Sequence, residues 1–406
     1  STQDKNFYKY NPGKSLKEIA ERYAKVFKID IKSFKTPAEI HKEIDLRPEG
    51  NGYVMQLKYQ GKATFLRLFN DFFVYPSETE VSAALKRLTV PLPTIGFLTG
   101  NLERGPQKTG DRDYEALTSE KAFRYAFINQ GFDVDTVFSD GNGDIPSAIV
   151  ALVIADPKTN FSPAAFAKLQ AYINGGGNLI IMGEPGKQQV LNPLLKTLGV
   201  QLMDGQLVQQ STDYAPDLVL PYLTKEAAGV SKTLQRAFED SIRISMPGVA
   251  ALSYKDTNGF TTRPLLMTDA GRSWLKKGRL TLDSAAVVFA PEQGDLRGSF
   301  PTALALTRKI NGKLQRIIVT GDADLMSNAE LGRSNIRTAN FQFNTALFGW
   351  FTAGQFPIDT TRPKSKDNHL KLSDSGLATL KIVLLWVLPI ILLIFGSILL
   401  VRRKRK

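Results

Sequence analysis

The sequence predicts an α/β protein: a central domain built on a parallel sheet covered on both faces, a small α/β module before it and one transmembrane helix after it. Three observations carry this reading. From Thr94 onward, short apolar runs alternate with amphipathic stretches across glycine-rich turns, the pattern of βαβ units. Ahead of them, helical and strand-like segments fill residues 1–90. At the far end, residues 382–401 read IVLLWVLPIILLIFGSILLV, twenty residues without a charge.

In the first segment, LKEIAERYAKVF places Leu16, Ile19, Ala20, Tyr23 and Phe27 at helical spacing. YVMQLKYQGKATFLRLF reads as two strands joined across Gln60-Gly61, and SETEVSAALKRLT opens with Ser77 and Glu80 spaced as a capping box. Pro91 and Pro93 mark a boundary. TIGFLTG is then a buried strand, SEKAFRYAFINQG a helix closed by Gly131, and FDVDTVF and IVALVIADP two further strands. In FSPAAFAKLQAYINGGG, Ser162 caps a helix with Pro163 at its first position, and NLIIMGEPG supplies the next strand. Residues 199–280 resist assignment. After them, AAVVFA reads as a strand, TALALTRKINGKLQRIIVT as a hairpin turning at Asn311-Gly312, and TANFQFNTALFGWFTAG as an apolar last helix. The expected domains are residues 1–90, 91–360, a polar linker at 361–381, the span at 382–401 and a basic tail at 402–406.

Twenty residues at ~1.5 Å each cover ~30 Å, the thickness of a bilayer core. The five basic residues at 402–406 supply five of the +13 net charge, and they argue for a cytoplasmic tail. The large domain then lies outside the cytoplasm, periplasmic in a two-membrane bacterium. Since STQDKNFYKYNPGKS contains no signal-peptide core, a removed signal or membrane helices are expected ahead of Ser1.

The absence of cysteine excludes disulfides, thiolate nucleophiles and cysteine metal sites. The two histidines, His41 and His369, are too far apart in sequence to suggest a triad or a multi-histidine zinc site. The +8 that remains without the tail suits a solvated surface, and nothing resembles a nucleic-acid motif.

VTGDADLMSNAEL, at residues 319–331, is the most suggestive motif. Asp322 and Asp324 match two ligand positions of a calcium loop, but Met326, Ser327 and Arg333 break the rest of it. A metal-nucleotide DxD site remains open beside a structural reading, in which Ser327 and Glu330 cap a helix and Asn328 or an aspartate bonds its own turn. GNLERGPQKTG approaches a phosphate loop at Gly100 and Gly105, but Lys108-Thr109 comes two residues late, so ATP hydrolysis by that route is excluded. The same polar stretch lies at the carboxyl end of the first sheet strand, where open α/β sheets place ligands. Arg104, Lys108, Arg112 and Asp113 are candidate anion or partner contacts there, and an ordinary solvated loop is the simpler reading. Glu184 in GEPG occupies another strand end, where turn chemistry alone accounts for it.

Taken in order, PSETEVSAALKRLTVPLPTIGFLTGNLERGPQKTGDRDY, FINQGFDV, LVIADPKTNFSPAAFAKLQAYINGGGNLIIMGEPG, NPLLKTLGVQL and VTGDADLMSN resemble one family. It is the GldG-like auxiliary component of ABC-type export systems, known from gliding motility. The resemblance runs from about Lys14 to the membrane helix. It implies a class I glutamine-amidotransferase-like central domain; this chain has no cysteine, so the nucleophile of that fold is absent, and no cofactor is expected. It also implies partnership with an ABC permease and a cytoplasmic ABC ATPase, with permease helices fused upstream in some members. The leading expectation is therefore a non-catalytic, membrane-anchored component. The alternative is a metal-dependent envelope enzyme acting on glycan or nucleotide-sugar through Asp322 and Asp324.

Overall fold

The computed structural model describes residues 9–140, 143–278, 280–282, 287–360 and 372–404. Two compact units divide the chain, Ser1–Asp359 and Thr360–Lys406.

The first unit begins with two capped helices, α1 (Leu16–Phe27) and α2 (Pro37–Glu43). Each has a reciprocal capping box, Ser15 with Glu18 and Thr36 with Glu39. Strands β1 (Val54–Tyr59) and β2 (Lys62–Arg67) pair antiparallel, and both turn residues, Gln60 and Gly61, have positive φ (48° and 78°), the two-residue turn that fits strand twist. Helix α3 (Glu78–Thr89) packs on this hairpin; at its start the Ser77 N–H and hydroxyl both donate to Glu80.

The central sheet has eight strands. Those on the parallel side are β3 (Thr94–Thr99), β4 (Asp133–Phe138), β5 (Ile149–Ala155) and β6 (Leu179–Met182). They are followed in the chain by β7 (Tyr222–Leu223), β8 (Thr261–Met267), β9 (Pro301–Ile310) and β10 (Lys313–Thr320). The spatial order is β7-β8-β9-β10-β6-β5-β3-β4. From β10 to β4 every pairing is parallel, and β7, β8 and β9 extend the sheet antiparallel. The parallel sheet read from the sequence is therefore one side of a mixed sheet. Its antiparallel part draws β7 and β8 from the stretch that resisted assignment. The hairpin of β9 and β10 turns at Asn311 and Gly312, both at positive φ (51° and 75°).

Strand alternation explains the two apolar cores. Ala151, Val153 and Ala155 of β5 face one side with Phe97, Ile180 and Ile318, under Phe343, Leu347 and Phe348 of a late helix (Asn340–Phe351). Leu152 and Ile154 face the other with Leu98, Ile181 and Val319, under α4 (Pro163–Asn174) and α5 (Gln188–Leu195). Burying each of the Val, Leu, Ile and Phe side chains contributes roughly 1.5–3 kcal/mol, and both cores lie wholly within the first unit, which is thus equipped to fold by itself. Ser162 caps α4 as expected, accepting from the Ala165 N–H at 3.1 Å.

Two expected elements do not form. Residues 119–131 are turns and one 3₁₀ turn (Phe127–Asn129), not a helix. The Asn129 amide donates to the carbonyls of Lys121 and Phe123, and Arg124 is drawn into ion pairs, so side chains take up groups that a helical ladder would use. Of the strand expected at 285–290, residues 285 and 286 lie outside the described residues and 287–290 form none, with Val288 turned to solvent.

In the second unit, one continuous helix runs over Ser375–Lys404, thirty residues with a mean hydropathy of 2.9 in its most apolar window and none of that window buried. Pro389 has no N–H for the Leu385 carbonyl, and the helix widens into a π turn at Val383–Val387 just before it. Residues 361–371 and 405–406 of the expected linker and tail, with His369, lie outside the described residues.

Candidate functional site

The loops after β3, β5, β6 and β10 meet at the carboxyl edge of the parallel strands, and each contributes charge. After β3 comes Arg104, 6% exposed, its backbone N–H bonded to the Ala155 carbonyl at 3.1 Å. Asp156 follows β5 immediately; it is fully buried and held at φ 49°, a strained backbone for a residue with a side chain. Glu184 follows β6. Asp322 and Asp324 follow β10 across Gly321, where an added Cβ would sit 1.9 Å from the Ala250 carbonyl oxygen, so only glycine fits.

Arg104 is the hub. Its Nη1 reaches Asp324 Oδ1 at 2.5 Å, its Nη2 reaches Glu184 Oε1 at 2.6 Å, and Nε and Nη2 both reach Asp156 Oδ2 at 3.2 Å. Arg112 closes the outer side with its guanidinium half in solvent. It donates to both oxygens of Asp324 at 3.0 Å and pairs with Glu184 Oε2 at 3.2 Å. Lys158 pairs with Asp156. Beneath them the buried Tyr114 hydroxyl donates to the Ala323 carbonyl at 2.9 Å.

With every carboxylate ionised the charges would not balance. Four buried carboxylates face two guanidiniums and one ammonium. Among the described residues Asp322 accepts one bond, from the Asp324 N–H at 2.5 Å, and its Oδ2 has no partner; neither does Asp156 Oδ1. Burial, reinforced by Asp324 and Asp156, pushes Glu184 up to about 7 against the pull of the arginines. Burial likewise raises Asp322 well above the usual carboxylate range, with Glu184 and Asp324 adding to it. Burial alone would lower Arg104, but Tyr114, Glu184, Asp324 and Asp156 outweigh it and keep the guanidinium charged.

Glu184, Asp322 and Asp324 each bring a carboxylate oxygen within 4.8 Å of the others, a spacing that can hold a cation. Of their six oxygens, however, only Asp322 Oδ2 is unpartnered, so a metal ion would compete with two guanidiniums.

The site therefore gathers Arg104, Arg112, Glu184, Asp322 and Asp324 from the sequence candidates and adds Asp156, Lys158 and Tyr114. The others shape the loop. Asp113 accepts from the Gly105 N–H at 2.8 Å. Asn328 donates to the Lys108 and Gly110 carbonyls (3.2 and 2.8 Å) and accepts from the Ala116 N–H at 2.8 Å. Lys108 lies exposed, its stem across Gly105. The loop after β3 is thus no ordinary solvated loop, since Asn101, Glu103, Arg104, Pro106 and Tyr114 are buried in it. Ser327 caps the short helix Asn328–Leu331 as expected, but Glu330 turns to Ser245 and Arg333 rather than completing a capping box. Asp156 was legible by the rule that marked Glu184, an acid directly after a buried strand.

The solved mmIFT52 N-terminal domain is 18% identical at a TM-score of 0.45, covering 64% of this chain and 98% of that one. A putative ThuA-like protein from Bacteroides uniformis is 14% identical at 0.37, covering 65% of this chain and 92% of that one. Another from Parabacteroides merdae is 12% identical at 0.36, covering 68% and 94%. Likeness at this level carries no functional information. No curated protein matches significantly. Residues 92–348, more than half of the chain, match the family model described as an ABC-type uncharacterized transport system. The chain belongs to this family of auxiliary components of ABC-type transport systems.

Proposed function

We propose that this chain is a non-catalytic, GldG-like auxiliary subunit, anchored in a bacterial inner membrane by its last helix with its first unit in the periplasm. Its partners are an ABC permease, against which the helix packs, and through it a cytoplasmic ABC ATPase. The observation that carries the proposal is the Ser375–Lys404 helix, apolar all round and ending in Arg402-Arg403-Lys404, on a chain of this family. The amidotransferase-like reading of the central domain fits the strand-end position of the Arg104 cluster. There, buried ion pairs take up the oxygens that a substrate or metal would use, which supports a binding or structural role over chemistry.

Fractionation tests the anchor. The intact chain should stay in membranes after alkaline extraction and expose its basic tail only on the cytoplasmic side. A chain ended at Leu372 should be released. Retention of the shortened chain, or a tail exposed on the other side, would overturn the anchoring or its orientation.

A second reading, the metal-dependent envelope enzyme acting on glycan or nucleotide-sugar, is favoured by the spacing of Glu184, Asp322 and Asp324 and the free Asp322 Oδ2. It requires manganese or calcium binding by calorimetry that Asp322→Ala abolishes without unfolding the protein. Absence of metal binding in the wild type removes it.

A further inference from the structure

Residues 9–53 bury only Asn11 and Ile19. Within them α1 is built to form, with its capping box at Ser15 and Lys28 in the left-handed conformation (φ 54°) at its end. Twelve residues make a marginal helix on their own, so a surface to lie on would contribute most of its stability. Among the described residues its apolar face is covered only at Ile19: Leu16 and Tyr23 are about half exposed, Val26 and Phe27 about two-thirds, and the Tyr23 and Phe27 rings stack at 6.3 Å. The same character continues in FKIDIKSFK, where the exposed Ile29 and Phe34 alternate with lysines. Residues 14–35 hold seven Lys or Arg against three Asp or Glu, a net +4.

We infer that α1 and the stretch after it form an interfacial segment that lies on an anionic lipid surface, its apolar face among the acyl chains and its basic side chains at the headgroups. An amphipathic helix with aromatic and aliphatic residues on one side and a cationic surround has the chemistry for that boundary. The positive charge selects a negative surface over a neutral one. The inference rests on the reading that the chain resides at a membrane, but its test omits the span, so failure here leaves the anchor untouched.

The first unit, residues 1–359, is sedimented with vesicles of phosphatidylcholine plus phosphatidylserine and with pure phosphatidylcholine. Binding to the anionic vesicles is expected, weakening as salt screens the charge. Val26→Asp with Phe27→Asp, at positions too exposed to disturb the fold, should lower it at least about tenfold with an unchanged melting curve. Lys25→Glu with Lys28→Glu should abolish the preference for anionic lipid. Binding that ignores Val26→Asp/Phe27→Asp, or equal binding to both vesicles, overturns the inference. So does an absence of vesicle binding, and a lipid-free dimer that the Asp variant dissolves would then assign the face to a second copy of the chain.

Discussion

Two buried arginines hold two parts of the first unit together, and they do so on different terms. Arg124 ties the loop before β4 to the segment around α3: it donates to both oxygens of Asp71 (2.6 and 2.9 Å), to Glu80 at 2.7 Å and to the Tyr75 carbonyl, and lies 4.4 Å from the Phe69 ring centre. Glu80's other oxygen accepts from Gln130, so no oxygen of either carboxylate is left over. Arg104 ties four strand-end loops, but its cluster holds Glu184 and Asp322 toward their neutral forms and leaves two carboxylate oxygens orphaned among the described residues. A satisfied hub is fully explained by stability. A frustrated one is not explained by stability alone, and it lies at the strand-end edge where open α/β sheets place ligands.

The sharpest way to break the contrast is Arg104→Met. It takes the one buried cation from Asp156, Glu184 and Asp324, leaving them only Lys158 and the half-exposed Arg112, and should destabilise the first unit by about 3–5 kcal/mol in urea titration. Wild-type stability would mean that the hub holds nothing together. The next test is pH. Glu184 titrates near 7 in the fold and near its ordinary value when unfolded, so its neutral form favours folding. That contribution, up to about 3 kcal/mol, is complete below pH ~4.5 and lost as pH rises through ~7, and Glu184→Gln should flatten the decline. The Arg124 hub has the opposite sign. Hydrogen bonds from Arg124 hold Asp71 below its ordinary value, so its contribution is present above that range and lost on acidification. Arg124→Met should cost less than Arg104→Met, about 2 kcal/mol, because Asp71 is partly exposed and rehydrates while the buried Glu80 keeps its bonds from Ser77 and Gln130. The smallest effect is expected from Arg112→Gln, whose guanidinium is already half in water: about 1 kcal/mol or less, with tighter divalent-cation binding if the cluster takes a metal.

What the sequence made legible follows the range of the forces involved. Turns and caps are local, so Gln60-Gly61, Asn311-Gly312 and Ser162 stand where their chemistry places them. The apolar helix depends on composition alone. The Arg104 cluster was only half legible: strand-end position marked Arg104, Arg112, Glu184, Asp322 and Asp324 singly, but not Asp156, and nothing local shows that Arg104 pairs with Asp324 220 residues along the chain. Residues 119–131 misled because Arg124 and Asn129 spend their bonding on distant or non-helical partners. The depth of Asp322 depends on the close approach of Ala250 to Gly321, from a stretch with no periodic signal.

The most direct test of the proposed role is to solubilise the intact chain from its native membrane in mild detergent, cross-link it and identify what it carries. Co-purification of an ABC permease and its ATPase, with cross-links from the permease to residues 375–404, is the result expected here. A chain that comes out of the membrane alone under conditions that keep other transporters whole would contradict it.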